Sequence, residues 1–429
     1  MDAETKVQVR FFTRQAKYAV TDAPLFVPTS LRRHGLSDIV NHLRGAGSEG
    51  VETIPFEFLL DGSFLRGSLQ SYLEEAGLST EATLELEYVV TAGAPEERES
   101  YPVEEWISTV SIDKGSVICG SFDGSIRLWD RSAKGKGKPR TVLTEAHDGP
   151  VHAIALADQS VGFLSGGQDT KVKGWSIEGD CLFQGVGHTG AVQDLALRVD
   201  GDYVASASWD GSLKLWSVDP SEDAVESDQS VLEAGDGKRR KRQAPTVRIK
   251  RARDTLLGHH GTVASCAFDP RQHNMLYSGG WDHTLRSWDV LTGEQTSIWT
   301  SNSVINALAT SPKATSSLLA SGHPDGVLRL WDPRMQGDRV VTYSVKAHKS
   351  FISQIAWSPS SPYLLATASY DGSVRVIDSR STVPLFTVST PPSVQGQEPD
   401  KVFSVAWHND DLVVGGQEGL VRFYSTQSF

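Results

Sequence analysis

The sequence predicts a mainly β protein in which a small α+β domain precedes a ring of seven four-stranded sheets. Three observations lead to this fold class. A strand pattern built around an acidic turn recurs seven times after residue 101, most recurrences are spaced at one four-stranded sheet each, and the preceding residues mix strands with helices. We therefore predict a front domain at 1–92, a linker at 93–100 and a repeat array at 101–429.

The front domain is predicted from its order of strands and helices. KVQVRFF at 6–12 alternates as a strand does, a second strand signal follows, and the apolar spacing of LSDIVNHLRG at 36–45 predicts a helix capped by Ser37. FEFLLDGSFLRGSLQSYLEEAGLS at 56–79 then predicts a strand, a turn and a short helix. TLELEYVV at 83–90 predicts the closing strand, with Glu85 and Glu87 on its solvated face.

The repeat array is predicted from seven matching segments, each with an acidic turn between two strands. The turn acids are Asp123, Asp169, Asp210, Asp282, Asp325, Asp371 and Glu418. Their spacings are 46, 41, 72, 43, 46 and 47 residues, so the third interval contains an insertion of about 30 residues. The last segment supplies only three strands, and the stretch around SYPVEEW at 100–106 is predicted to supply the fourth and close the ring.

The insertion, at about 219–254, is predicted to be a disordered loop between two blades, because it begins acidic and is poor in apolar residues. Its stretch 238–253 has nine Lys or Arg in sixteen positions, although the whole chain has a formal net charge of −12. The cluster KRRKR within it has the form of a nuclear localisation signal. Its residues are Lys238, Arg239, Arg240, Lys241 and Arg242. Contact with RNA and a solvated charge run without function are the alternatives.

Several function classes have no support in the sequence. The chain has no HExxH, GxxxxGK or GxSxG motif, and its three cysteines are too far apart to form a paired metal site, so no enzyme and no cofactor are expected. No apolar run approaches the ~20 residues that cross a bilayer, and the charged start is unlike a signal peptide. A soluble intracellular protein without a membrane partner is therefore expected.

The repeats, of which SWDGSLKLWS is one, resemble the WD-repeat family over residues 101–429. The resemblance implies a seven-bladed WD-repeat β-propeller and a buried hydrogen-bond chain in each full unit. The fullest match to that chain is His188, Ser206, Asp210 and Trp216. These residues are therefore expected to be structural rather than catalytic, because buried polar groups are normally paired.

Some units depart from the family pattern. The units of Asp325 and Glu418 lack the histidine, and Ile377 and Tyr424 replace the tryptophan in two units, so packing is expected to stabilise those blades.

The residue before each turn acid faces the wide mouth of the ring in WD-repeat proteins. Four of these seven positions are aromatic, namely Phe122, Trp209, Trp281 and Tyr370. Exposed aromatic residues often anchor protein interfaces, so we predict a partner contact at this mouth. The alternative is that the rings pack between blades.

Residues 1–92 resemble ubiquitin in the order of their elements, and FEFLLDGSFLRGSLQSYL resembles the ubiquitin-like domain at the front of Notchless-type proteins. The resemblance implies a ubiquitin-like (β-grasp, α+β) domain that docks on midasin, an AAA ATPase. In that family a carboxylate completes the shell of a Mg ion held in midasin's metal-ion-dependent adhesion site. LSTEATLELEY at 78–88 matches the family pattern and implies that Glu81 is this ligand. The alternative is that Glu81 caps a turn after Ser79.

The combination of ubiquitin-like domain, seven-bladed propeller and charged insertion resembles the family of WD-repeat subunits of the PeBoW complex. The resemblance implies a non-enzymatic assembly factor of the large ribosomal subunit, with a role in pre-rRNA processing, in the nucleus, nucleolus and nucleoplasm. The implied partners are a block-of-proliferation-type WD-repeat protein, pescadillo through the complex, midasin and the pre-60S particle, including ribosomal RNA as a local contact. The alternative is a substrate receptor or scaffold in a ubiquitin-ligase pathway, which has no need of a metal-completing acid.

Overall fold

The structure is a computed structural model of the chain, and its described residues form two compact units: the first contains the residues up to Ala94 together with 380–381, and the second contains the other residues from Pro95 to Thr426. The described residues are 5–45, 53–81, 83–91, 93–113, 115–131, 137–157, 161–222, 224–225, 247–312, 318–335, 340–381, 383–392 and 398–426. The predicted localisation signal at 238–242 lies outside them. No helix in these ranges is long and apolar enough to cross a membrane.

The first unit is a five-stranded mixed sheet with two helices. The strands are β1 (Lys6–Phe12), β2 (Leu25–Pro28), β3 (Phe56–Leu60), β4 (Ser63–Phe64) and β5 (Thr83–Val90), and the helices are α1 (Arg33–Leu43) and α2 (Leu69–Ala76). The sheet order is β2-β1-β5-β3-β4, with β1 and β5 parallel at its centre. A short 3-10 turn at Ala16–Tyr18 follows β1. This order confirms the predicted β-grasp class.

The core of the first unit is formed where α1 packs on one face of the sheet. Leu36 and Val40 of the helix are fully buried beside Phe56 and Phe58 of β3. Ser37 does not cap the helix as predicted, because α1 already begins at Arg33. Its hydroxyl instead accepts a hydrogen bond from the backbone N–H of Phe56 at 3.1 Å, which ties the helix to the start of β3.

The second unit is a propeller in which the described residues form seven blades, each with its first strand at the channel. Blade 1 consists of β7 (Ile107–Asp113), β8 (Ser116–Ser121), β9 (Ile126–Asp130) and β10 (Thr141–Leu143); blade 2 of β11 (Val151–Leu156), β12 (Phe163–Gly167), β13 (Val172–Trp175) and β14 (Cys181–Gly185), extended by β19 (Arg248–Lys250) and β18 (Ala224–Val225); blade 3 of β15 (Val192–Leu197), β16 (Tyr203–Ser208), β17 (Ser212–Ser217) and β20 (Asp254–Leu257). Blade 4 consists of β21 (Val263–Phe268), β22 (Met275–Gly280), β23 (Thr284–Asp289) and β24 (Glu294–Thr300); blade 5 of β25 (Ala307–Thr310), β26 (Leu319–Gly322), β27 (Val327–Trp331) and β28 (Val341–Lys346); blade 6 of β29 (Ile352–Trp357), β30 (Leu364–Ser369), β31 (Ser373–Asp378) and β32 (Phe386–Ser389); blade 7 of β33 (Val402–His408), β34 (Asp411–Gly416), β35 (Leu420–Ser425) and β6 (Glu96–Pro102). The seven-bladed propeller is thus confirmed.

The ring is closed by β6, which pairs antiparallel with β35 and completes blade 7. The ring of Tyr101 lies 4.7 Å from that of Phe423 on β35 and stacks at 5.9 Å on Trp129 of blade 1. Arg422 bonds Glu97 on β6 at 2.6 Å. The strand occupies 96–102, so the structure places a strand where part of the linker was predicted.

The insertion differs from its prediction in two ways. It lies inside blade 3, between β17 and β20, because turn-to-turn spacing does not show on which side of an outer strand extra residues fall. Its ends are also ordered, since β19 pairs in parallel with β14 and antiparallel with β18. Lys250 on β19 is fully buried, donates to the carbonyl of Ser217 at 2.8 Å and lies 4.3 Å from the Phe183 ring centroid. The basic residues at 248–253 therefore belong in part to the fold, since Lys250 is one of them.

Polar side chains on the inner strands bond one blade to the next. Asp194 of blade 3 accepts hydrogen bonds from the hydroxyl of Ser265 at 2.6 Å and the N–H of Cys266 at 3.0 Å, both in blade 4. Gln354 of blade 6 accepts one from the N–H of Val405 in blade 7 at 3.0 Å. Burial raises the pKa of Asp194 to about 6, against the effect of these donors.

Candidate docking sites

The loop that carries Glu81 begins at a helix end of defined geometry. Gly77 has φ of 64°, a left-handed conformation that glycine adopts without steric cost. The N–H of Leu78 donates to the carbonyl of Leu73 at 3.0 Å and that of Gly77 to the carbonyl of Glu74, which closes α2. Glu81 follows in the turn before β5, so both ends of its loop are held by secondary structure.

Glu81 is exposed, and among the described residues its carboxylate has neither a hydrogen bond nor an ion pair. Ser79 makes no capping hydrogen bond there either, so the turn-capping alternative has no support in the structure. The neighbouring acids behave differently. Glu85 pairs with Arg10 at 3.2 Å, and Glu87 pairs with Arg14 at 3.0 Å. Glu87 is buried, so its prediction as solvated face is wrong.

The residues predicted as a hydrogen-bond chain meet in blade 3. The indole N–H of Trp216 donates to the hydroxyl of Ser206 at 2.8 Å, that hydroxyl lies 2.7 Å from His188 Nε2, and His188 Nδ1 lies 2.8 Å from Asp210. Burial by itself raises the pKa of Asp210, but hydrogen bonds from His188 and Ser212 outweigh it and hold the pKa well below its ordinary value. The chain links β16 and β17, the turn between them and the loop before β15, which is the structural arrangement that the resemblance implied.

Other blades repeat this chain. The four equivalent residues of blade 2 are His147, Ser165, Asp169 and Trp175, and those of blade 4 are His259, Ser278, Asp282 and Trp288. Blade 6 keeps His348, Thr367 and Asp371 without the tryptophan. Burial lowers the pKa of His147, His259 and His348, which favours the neutral ring.

Blade 5 was predicted to rely on packing because it lacks the usual histidine, and this prediction is wrong. His323, two residues after Ser321, turns back so that its Nε2 lies 2.7 Å from the Ser321 hydroxyl. Its Nδ1 lies 2.7 Å from the carbonyl of Val304, and Trp331 donates to Ser321 at 2.7 Å. Burial lowers the pKa of His323 to about 4.

Blade 1 lacks both the histidine and the serine of this chain. Cys119 stands on β8 where Ser206 stands on β16, and the next strand of each blade carries a buried tryptophan, Trp129 on β9 and Trp216 on β17. The indole N–H of Trp129 consequently has no acceptor among the described residues. Burial raises the pKa of Cys119 to about 12, so its thiol is protonated at neutral pH.

The propeller mouth presents aromatic side chains to solvent. Phe122, Trp209, Trp281 and Tyr370 are 37% to 54% exposed and line a central cavity of about 860 Å³. They are therefore not packed away between blades, which was the alternative to an interface.

Three further aromatic residues extend this mouth: Phe351 and Phe403 line the same cavity, and the ring of Trp106 lies 6.0 Å from that of Phe122. The Phe403 ring lies 5.5 Å from Phe122 and 5.4 Å from Tyr370, so a continuous row of rings connects blades 6, 7 and 1. Trp106 and Phe351 each directly precede an inner strand. That shared position is the sequence signal that could have identified them.

The described residues contain no group of three or more His, Cys, Asp or Glu that could hold a metal ion. The three cysteines are free thiols, with Cys119 and Cys266 buried and Cys181 partly buried.

Comparison with known proteins divides the chain in the same way. Residues 7–73 match the NLE (NUC135) domain, and residues 101–130, 179–217, 251–289, 293–332 and 339–378 match the WD domain, G-beta repeat. The fold and these matches define a WD-repeat protein with an NLE front domain.

Relatives of similar length identify the family. The chain is 33% identical to a "Ribosome biogenesis protein WDR12 homolog" of Nematostella vectensis, over 98% of this chain and 99% of the relative. It is 33% identical to "Ribosome biogenesis protein YTM1" of Saccharomyces cerevisiae, over 98% and 97%, and 32% identical to "Ribosome biogenesis protein ytm1" of Schizosaccharomyces pombe, over 100% and 99%. The chain belongs to this WDR12/YTM1 family of ribosome biogenesis proteins, which confirms the family resemblance.

Proposed function

We propose that this protein is a non-enzymatic assembly factor of the large ribosomal subunit, which midasin removes from the pre-ribosome by binding Glu81. The names of the relatives support the general role in ribosome biogenesis. The observation that carries the specific role is the exposed carboxylate of Glu81, which has no partner among the residues that the structure describes and lies between the end of α2 and the start of β5.

The chemistry of this contact follows from the partner's ion. Magnesium prefers oxygen ligands in octahedral geometry and binds through few protein carboxylates. An exposed carboxylate from a second protein fits such an open position, and within the described part of the chain Glu81 has no ion pair to break in order to reach it. The ion belongs to midasin, and this chain supplies one ligand and no cofactor of its own.

The propeller retains the protein in its complex. Its aromatic mouth is the proposed contact for the block-of-proliferation-type WD-repeat partner, through which pescadillo joins, because exposed Trp and Tyr are typical anchors of interfaces. The basic cluster at 238–242 is proposed to direct the protein to the nucleus, where the nucleolus and nucleoplasm contain pre-60S particles.

The test is binding of the full-length chain to the isolated adhesion-site domain of midasin, in Mg²⁺ or in EDTA. We expect Mg²⁺-dependent binding that Glu81→Gln abolishes, because the amide keeps the shape of the side chain and removes its charge. Asp38→Asn is the matched control, since Asp38 is an exposed acid on the other helix of the unit, α1. Binding that survives EDTA and Glu81→Gln would contradict the proposal and favour the ubiquitin-ligase alternative.

A further inference from the structure

The first unit has an unusually exposed aromatic residue close to Glu81. Phe26 on the edge strand β2 is 68% exposed, more than either other exposed large apolar side chain of this unit, Phe12 and Leu78. Its neighbour Val27 is buried in the core. Phe26 therefore points away from the core, on the outer face of the sheet.

The strand register brings Phe26 into line with the start of β5. Gln8 on β1 is opposite Phe26 on one side and Thr83 on the other. The hydroxyl of Thr83 donates to the side-chain oxygen of Gln8 at 2.7 Å. Since adjacent strands lie about 4.8 Å apart, Phe26 and Thr83 are separated by about 10 Å on one face. Glu81 precedes Thr83 by two residues, so its loop leads directly into this row.

A second apolar side chain lies on the other side of Glu81 in the sequence. Leu78, the residue after the glycine that ends α2, is 42% exposed. Its backbone is held by the hydrogen bond to Leu73, so its position relative to the loop is defined by the helix end. Glu81 is thus flanked by Leu78 along the chain and by Phe26 across the sheet.

The charges around this surface suit a cation on the partner. Glu74, Glu75 and Glu85 are exposed nearby in sequence. Two cations lie on the same face of β1: Arg10 is paired with both Asp22 and Glu85, and Lys6 is exposed. The surface is therefore apolar at two points, and the exposed acids Glu74, Glu75, Glu81 and Glu85 outnumber these two cations.

We propose that Phe26 is the apolar anchor of this docking surface, which seats the domain on a partner surface that surrounds an incompletely coordinated divalent cation. The inference rests on the proposed role of Glu81 and extends it from one ligand to a surface. A single carboxylate offers little selectivity, whereas a buried aromatic ring beside it excludes water and adds contact area. Phe26, Leu78 and the Gln8–Thr83 pair then determine which cation-bearing surface is bound.

The experiment compares Phe26→Ala with Phe12→Ala in the full-length chain, with binding to the midasin adhesion-site domain measured in Mg²⁺. Phe12 is the matched control because it is an exposed phenylalanine at the far end of β1, four residues or about 13 Å beyond Gln8. We expect Phe26→Ala to weaken binding at least tenfold while the remaining binding still requires Mg²⁺. Phe12→Ala is expected to bind as the wild type does. Thermal unfolding of each variant shows that the domain remains folded.

The outcomes separate the two proposals. If Glu81→Gln abolishes binding but Phe26→Ala leaves it unchanged, the anchor role of Phe26 is overturned and the metal ligand stands. If Glu81→Gln has no effect, the proposed function itself fails first. If Phe26→Ala changes the oligomeric state of the protein instead of its affinity for the adhesion-site domain, Phe26 belongs to a contact between copies of this chain and the inference is wrong.

Discussion

Two buried tryptophans allow the contribution of the blade hydrogen bond to the free energy of unfolding to be measured within one protein. Trp216 and Trp129 occupy the same position in blades 3 and 1 and are equally buried. Trp216 donates to Ser206 at 2.8 Å, whereas the indole N–H of Trp129 has no acceptor in the described part of the chain, because Cys119 replaces the serine. The substitutions Trp216→Phe and Trp129→Phe therefore remove the same atoms from different hydrogen-bonding environments.

The expected difference follows from the two N–H groups. Trp216→Phe loses a hydrogen bond worth about 1 kcal/mol, and Trp129→Phe removes a buried unsatisfied donor that costs about 1–3 kcal/mol. The loss of ring contacts is common to both substitutions and largely cancels. We therefore expect Trp216→Phe to be more destabilising than Trp129→Phe by about 2 kcal/mol or more. Cys119→Ser should stabilise the protein by about 1 kcal/mol, because it supplies the acceptor that Trp129 lacks.

The assay is unfolding in guanidinium chloride followed by circular dichroism, since tryptophan fluorescence changes with the substitutions themselves. Equal slopes of the transition are required for the free energies of unfolding to be compared. Equal destabilisation by the two Trp→Phe changes, together with no gain from Cys119→Ser, would refute the reasoning that the missing acceptor in blade 1 costs stability.

Three further predictions concern the ring. Removal of residues 1–94 should leave the propeller folded. Removal of 1–102 also deletes β6, so β35 becomes an open edge, and this truncation should lower the melting temperature and cause aggregation. Light scattering during melting distinguishes the two truncated proteins. The stability of Asp194→Asn relative to the wild type should increase by about 1 kcal/mol from pH 5 to pH 8. The folded wild-type carboxyl has its pKa raised to about 6, so the wild type loses stability as this group ionises, whereas the amide does not ionise. Equal shifts in melting temperature at both pH values would contradict this. Lys250→Ala should release β19 and leave two carbonyls without a donor, at a cost of about 2 kcal/mol in chemical unfolding, while Arg251→Ala on the exposed surface should change stability by less than about 0.5 kcal/mol.

The features that could be predicted from the sequence are those that repeat. Seven acidic turns at regular spacing define the blades, and the missing strand of the last unit indicates where the ring closes. The hydrogen-bond chain of blade 3 follows from residue identities, because His188, Ser206, Asp210 and Trp216 occupy the positions that every full unit uses.

The features that were missed depend on single local substitutions. His323 replaces the usual histidine from a different loop, and only the three-dimensional approach of its ring to Ser321 shows this. In the sequence, Lys250 belongs to a basic run that is expected to be solvated. In the structure its stem packs against Phe183, and its amine donates to two backbone carbonyls. Ser37 resembles a helix cap, but tertiary contact with the backbone of Phe56 uses its hydroxyl inside the helix.

The central claim is that Glu81 is the group through which the protein is removed from the pre-ribosome, and its most direct test is the distribution of the protein in cells that contain only the Glu81→Gln variant. Sedimentation of cell extracts separates free protein from protein on large-subunit precursors. We expect the variant to join these precursors through its intact propeller and to accumulate there, with less free protein than in wild-type or Asp38→Asn cells. An unchanged distribution between free and particle-bound fractions would contradict the account.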